Sequence, residues 1–299
     1  MIWFNILKIF LQNNSGFVNG SQWGDILNGS NGDEFIVGGG SGDIIRGFSG
    51  NDLIVGGGFS DGDINQTVSF FGHHASHHVI NNLKQDGDDL LVGGYGHDTI
   101  IGAGWHDGLV EDNGKFELGE VVAAPFDPDL THHSNSNVIY AGPGNDLAVG
   151  ANFADIIEGS RGNDKIYGLG GHDILNGGSS DTSNNYYDEN DTIDGGSGDD
   201  LIIGGSGNDF MTGGQGSDIF SFGKYFGRDE ISDFGISKED QDKLDLSDID
   251  GLSLSNIMAS ATYNDEGTTL NISVHGTITL LGIDQIQLEE LADAGQILL

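Results

Sequence analysis

The sequence predicts an all-β chain: a parallel β-roll, a right-handed β-solenoid of nonapeptide repeats, with a β-rich C-terminal cap. Three observations carry this expectation. A period of nine runs through residues 20–221, an aspartate recurs at the sixth position of the unit, and an apolar residue recurs at the eighth.

The first element is a short N-terminal cap segment, residues 1–19. Met1 to Leu11 is apolar apart from Asn5 and Lys8 and falls well short of a ~20-residue membrane span. It has neither a basic stretch ahead of the apolar run nor a small-residue cleavage pattern, so it reads as a strand or cap, not a leader.

The roll itself is expected over residues 20–221. Nine-residue windows start at Gly20 and run through Gly56–Ile64, return over Lys84–Val110, and run again from Ala141 to Ser221, 17 in all. Their sixth positions hold Asp25, Glu34, Asp43, Asp52, Asp61, Asp89, Asp98, Asp107, Asp146, Asp155, Asp164, Asp173, Thr182, Asp191, Asp200, Asp209 and Asp218, so 15 of 17 are Asp. The eighth position is apolar in 15 of 17, and the first is Gly in 14. Six residues of the form G-G-x-G-x-D make a turn, because glycine reaches positive φ and lets carbonyls crowd together. The next three make a short strand whose middle residue points inward. Two units close one coil, and coils stack ~4.8 Å apart with parallel, in-register strands. Turns along one edge then lie above one another, and each Asp faces the Asp 18 residues away across a gap lined by carbonyls. Oxygen donors at that spacing suit Ca²⁺.

Composition supports this. Lys and Arg total 10 against 47 Asp and Glu, a net charge of −37. Such a chain repels nucleic acid and anionic membranes and opposes its own compaction until cations neutralise it. With 52 Gly but only 3 Pro it is not collagen-like, and with no Cys it has no disulfides or thiolate metal sites.

The cleanest windows, Gly195-Gly-Ser-Gly-Asp-Asp-Leu-Ile-Ile203 and Gly204-Gly-Ser-Gly-Asn-Asp-Phe-Met-Thr212, resemble the hemolysin-type RTX calcium-binding repeat. The resemblance implies a roll that is disordered without Ca²⁺ and folded with it, in a secreted protein exported by type I secretion machinery. It implies multiple Ca²⁺ ions held by the 15 aspartates above. Pairs sharing a site would be Asp43/Asp61, Asp146/Asp164, Asp155/Asp173, Asp173/Asp191, Asp191/Asp209 and Asp200/Asp218. Glu34 and Thr182 depart from the pattern, as do Trp23, Ser41, Phe59 and Phe153 at the fourth-position Gly.

Two loop insertions interrupt the frame, at 65–83 and 111–140. The first carries His73, His74, His77 and His78, spaced for a Zn²⁺ or Ni²⁺ site on a helix or for an ordinary solvated loop. The second carries Glu111, Glu117, Glu120, Asp127, Asp129, His132 and His133 with two of the prolines, and Asn135–Tyr140 within it looks like a returning strand.

Residues 222–299 form the expected capping and type I secretion region. Asp229–Phe234 and Asp242–Ser247 resemble the segment that closes such rolls. Thr268–Val274 and Thr277–Leu281 read as a hairpin, and Ile286–Ala292 as a short helix.

Function follows as calcium binding by a secreted roll with a structural or interaction role, at a cell surface or on a polysaccharide. An extracellular enzyme with its site in the insertions, and a piece of a larger adhesin or toxin, are the alternatives. Enzymatic activity is not expected: the roll begins near residue 20, and neither H-E-x-x-H nor G-x-S-x-G occurs.

Overall fold

The computed structural model describes residues 8–10, 16–21, 23–39, 43–57, 90–95, 99–101, 109–112, 115–118, 136–178, 189–235 and 241–299. They form the parallel β-roll that the periodicity predicts. Strands alternate between two facing sheets, one of 11 strands and one of 12. The first runs from Lys8–Phe10 through Ile26–Asn28, Ile44–Ser49 and onward to Lys243–Asp245 and Ile297–Leu298. The second runs from Phe17–Asn19 through Phe35–Gly39 and onward to Gly227–Ile231, where the cap takes over.

Alternation along each three-residue strand decides what is inside. The eighth-position side chains, among them Leu27, Ile45, Ile157, Leu175 and Ile202 from the first sheet and Ile36, Ile54, Ile166, Ile193 and Met211 from the second, are fully buried. They form one continuous core that the cap extends with Leu270, Ile278, Leu288 and Leu291. Burying such a side chain contributes roughly 1.5–3 kcal/mol, so each coil adds a similar increment to a linear stack.

Close stacking explains the first-position glycines. A Cβ on Gly29 would meet the Gly47 carbonyl oxygen one coil on at 2.6 Å. The second turn position lies in the left-handed region, at φ 102° for Gly196, and Phe48, Ser160 and Leu169 accept the same region at 84°, 86° and 77°. Fifth-position side chains add an outer ladder: Asn163 N–H donates to Asn145 Oδ1 at 3.0 Å and Asn190 N–H to Asn163 Oδ1 at 2.7 Å.

The register departs from the expected frame at three places. Lys165 pairs with Thr192 and Ile174 with Leu201, an offset of 27 rather than 18. The strands on either side of the Thr182 window thus pair directly with each other, with nine residues more than the expected spacing between Gly178 and Glu189. Ile44 pairs with Leu90, an offset of 46, and Leu90 with Val138, an offset of 48. The expected rung at Leu109 is supplied instead by Ile139. Leu109–Asp112 pairs antiparallel with Lys115–Leu118 in a separate hairpin, with Leu109 opposite Leu118. The returning strand expected at Asn135–Tyr140 is present as Val138–Pro143.

In the cap, Gly267–Asn271 and Gly276–Leu281 form the expected antiparallel hairpin, and its second strand pairs parallel with Gly227–Ile231. The helix expected at Ile286–Ala292 spans Gln285–Asp293 and opens on an Asp284/Gln287 capping box. The histidine cluster at 73–78 lies outside the described residues.

Candidate metal centre

Among the described residues, most sixth-position aspartates are held by the fold in the same way. In these, Oδ1 accepts the backbone N–H of the sixth-position residue one coil earlier. Asp43 accepts from Asp25 at 2.7 Å, Asp164 from Asp146 at 2.8 Å, Asp173 from Asp155 at 2.8 Å, Asp209 from Asp191 at 2.9 Å and Asp218 from Asp200 at 2.8 Å. Four of the pairs expected to share a site are thus brought together: Asp146/Asp164, Asp155/Asp173, Asp191/Asp209 and Asp200/Asp218. Asp173/Asp191 is not. Asp191 accepts from Asp164 at 2.8 Å and Asp200 from Asp173 at 2.7 Å. The nine-residue excess after Gly178 shifts the ladder by one unit and swaps the partners. Asp52 accepts from Glu34 at 2.8 Å, so the glutamate keeps the sixth place in its turn. Asp61, Asp89, Asp98 and Asp107 lie outside the described residues, and with them the pair Asp43/Asp61.

The ladder contains three further members that the nine-residue frame does not identify. Asn137 fills a sixth position, donating its N–H to Asp155 Oδ1. Asp229 accepts from Asp209, and Asp242 from Asp218, each at 2.9 Å. Their offsets of 20 and 24 hide them from a search in nines. The local triplet was nevertheless legible: Asn137-Val-Ile139, Asp229-Glu-Ile231 and Asp242-Lys-Leu244 all repeat the Asp/Asn-x-apolar ending of a window.

The second carboxylate oxygen, Oδ2, turns back toward its own glycine turn. The Oδ2 atoms of Asp164, Asp173, Asp191, Asp200, Asp209 and Asp229 are buried and accept no hydrogen bond among the described residues. A Cβ on Gly195 would sit 2.5 Å from both Asp200 Oδ2 and the Gly213 carbonyl oxygen. The space beside the Oδ2 atoms of Asp164, Asp173, Asp191 and Asp200 is thus bounded by a main-chain carbonyl of the next coil, from Gly177, Gly195, Gly204 and Gly213 respectively. At the six residues with an unbonded Oδ2 the ladder N–H groups are aimed at Oδ1, whereas Asp25, Asp155 and Asp242 accept a turn N–H at Oδ2 as well.

An ionised carboxylate in that setting is costly. Burial, partly offset by the N–H of the neighbouring coil, pushes Asp164 up to about 7 and Asp173 and Asp191 up to about 8. Burial and the Asp209 carboxylate together push Asp229 up to about 8, and Asp209 itself rises to about 6. Asp200 is raised for the same reason. A cation beside Oδ2 would reverse these shifts, because it stabilises the charged form.

The donor set fits a hard divalent cation. Among the described residues, carboxylate and carbonyl oxygens are present and no thiolate or imidazole joins them, which favours Ca²⁺ over Zn²⁺ or Cu²⁺. No group of three or more His, Asp or Glu side chains gathers among the described residues. A bound ion must therefore draw much of its shell from the turn carbonyls, which the first-position glycines leave uncovered.

Fold and site together define a parallel β-roll whose stacked glycine turns present oxygen donors for metal ions. The chain carries the RTX calcium-binding nonapeptide repeat, four copies of which match at residues 28–62, 85–104, 149–182 and 187–220. Among solved structures, the extracellular lipase LipA from Serratia marcescens aligns at a TM-score of 0.28 and 20% identity, over 97% of this chain. The alignment spans 40% of the lipase. No curated protein matches the chain. Among the described residues, no helix is long and apolar enough to cross a membrane.

Proposed function

We propose that this protein is a secreted calcium-binding roll that folds on meeting Ca²⁺ outside the cell and then serves a structural or interaction role. The observation that carries the reading is the row of buried Oδ2 atoms at Asp164, Asp173, Asp191 and Asp200, without hydrogen bonds among the described residues and beside turn carbonyls. With Ca²⁺ scarce, these carboxylates repel and resist burial, and the chain stays extended enough for export by type I machinery. At the Ca²⁺ levels to which extracellular sites respond, on the order of 10⁻⁴–10⁻³ M, binding free energy becomes folding free energy. The net charge of −37 supports the same reading, since it opposes compaction until cations arrive. Coils contact only their neighbours, which makes uptake cooperative along the stack.

Far-ultraviolet circular dichroism of the chelator-treated chain during Ca²⁺ titration tests this, with Mg²⁺ as control. A cooperative gain of β-structure with Ca²⁺ alone is expected. Asp200→Ala should raise the midpoint and flatten the slope. A chain fully folded in chelator at neutral pH, or equally well folded by Mg²⁺, would overturn the proposal.

A further inference from the structure

The sixth-position acids fall into two groups according to what their second carboxylate oxygen meets. At Asp164, Asp173, Asp200 and Asp209, Oδ2 is buried and accepts no hydrogen bond among the described residues. At Asp25 and Asp155 it accepts the N–H of the second residue of its own turn, from Ser21 and Ala151, each at 2.5 Å. Glu34 is closed in a similar way: Oε2 accepts the Ser30 N–H at 2.8 Å, and Oε1 the Ser30 hydroxyl at 2.5 Å.

The backbone of the turn separates the groups. In the open turns the second residue is left-handed, at φ 86° for Ser160, 77° for Leu169, 102° for Gly196 and 106° for Gly205. The fourth residue lies further out, at 131° for Gly162, 135° for Gly171, 135° for Gly198 and 150° for Gly207. Side chains reach the first range, as Ser160 and Leu169 do. The second range belongs to glycine, because a Cβ there collides with the flanking backbone. Phe153 takes the fourth place in the turn of Asp155, and Trp23 takes it in the turn of Asp25. Neither Ala151 nor Phe153 lies at positive φ.

Two turns depart from the simple form. The Glu34 turn keeps Gly32 in fourth place, but Ser30 Oγ accepts the Gly32 N–H at 3.2 Å, and the longer acid reaches Ser30. The Asp191 turn is nine residues longer than the expected spacing and has Glu189 in fourth place. Its Oδ2 is unbonded, and a Cβ on Gly178 would lie 3.4 Å from Glu189 Oε2 and 3.8 Å from Asp191 Oδ2. Here the fourth residue brings a carboxylate, not a bulky apolar group, and the turn belongs with the open ones.

We infer that a bulky fourth residue shuts its turn to metal, so that Phe153 and Trp23 are specificity-determining residues. Ca²⁺ loads onto the turns of Asp164, Asp173, Asp191, Asp200 and Asp209, while in the turns of Asp25 and Asp155 a backbone N–H stands in for the ion. The inference rests on the calcium reading above and adds which turns carry it out. An N–H at 2.5 Å occupies a lone pair of Oδ2 and aims partial positive charge at the space beside it. That charge repels a cation and already satisfies the buried oxygen that a cation would otherwise satisfy. The other parts of a site are present in the closed turn of Asp155. A Cβ on Gly150 would meet the Gly168 carbonyl oxygen of the next coil at 2.8 Å, as at the open turns. The sixth-position Asp and first-position Gly are therefore not enough for an ion, and the fourth position decides.

Native mass spectrometry of the full chain in Ca²⁺ counts ions per molecule and tests the inference. Asp155→Asn should bind as many Ca²⁺ as the parent, and Asp173→Asn at least one fewer. Both variants keep a side-chain oxygen for the ladder N–H from the preceding coil. The double variant Ala151→Gly/Phe153→Gly, with glycine at both turn positions, should bind one ion more than the parent. Loss of an ion from Asp155→Asn, a full count in Asp173→Asn, or an unchanged count in the folded glycine variant would overturn the inference. Circular dichroism in Ca²⁺ reports the folding of each variant separately. If the glycine variant does not fold, the two asparagine variants decide alone. A parent that binds no Ca²⁺ overturns the calcium reading itself, whereas a parent that binds Ca²⁺ with the wrong variant counts overturns only this assignment of turns.

Discussion

Removing calcium and then lowering the pH should refold the roll, and this response follows directly from the buried ladder. Asp173, Asp191 and Asp229 lie at about 8 in the metal-free fold against an ordinary value of 3.8. A displacement of that size corresponds to roughly 6 kcal/mol against the ionised form at each position. Penalties of that order are comparable with the ~5–15 kcal/mol that usually holds a domain together. The metal-free roll at neutral pH must therefore protonate these carboxyls or come apart. The sign is set by linkage: the folded value lies above the unfolded one, so the folded state holds more protons in between. The stability tied to these groups is present below about pH 4 and is lost as pH rises through about 8. Calcium inverts the dependence, because metal ligands must be deprotonated to bind. Circular dichroism thermal melts between about pH 4.5 and 8.5 read both branches at low protein concentration. In chelator, melting temperature should fall as pH rises; in millimolar Ca²⁺ it should climb. Slopes of the same sign in the two conditions would refute the reasoning, since the oxygens would then not be the groups that the metal neutralises.

Other outcomes follow from the same geometry. Gly168→Ala would place a Cβ 2.5 Å from the Gly195 carbonyl oxygen and against Asp173 Oδ2, filling the cradle. A loss of about 1–3 kcal/mol is expected, together with one fewer bound Ca²⁺ by isothermal titration. Asn137→Asp should add a carboxylate to the ladder beside Asp155 and lower the Ca²⁺ midpoint by about two- to tenfold in the same titration. Deleting residues 179–187 restores the 18-residue spacing between Asp173 and Asp200. The shortened chain should fold with a Ca²⁺ midpoint within about twofold of the parent, because the strands on either side already pair directly with each other.

Much of the site was legible before any coordinates. The first-position Gly, the sixth-position Asp and the eighth-position apolar residue each answer one local demand. Their order within a window is enough to specify turn, ligand and rung. Four of the expected aspartate pairs form as spacing alone implies, and the hairpin and helix of the cap lie within a few residues of their predicted bounds. The turn-by-turn chemistry is written within nine residues, and short-range sterics enforce it.

Register is a different matter, because every window is a plausible neighbour for every other. The Thr182 window has the look of a coil, but closing the stack past it joins Asp164 to Asp191 and leaves nine residues out of the ladder. Its eighth position is Asn184, and that of the Gly56 window is Asp63, so the failure of the inward apolar residue was the readable sign. Leu109 gave no such sign. It is apolar and in frame, and only its antiparallel partner Leu118 takes it out of the roll. Asp229 and Asp242 join the ladder at irregular offsets because the cap strands, not the repeat, carry them there. The sequence by itself determined the repeating unit and its oxygen donors, since these depend on contacts within one turn. The tertiary structure decided which units stack and which are passed over, since those depend on how successive coils close over a common core.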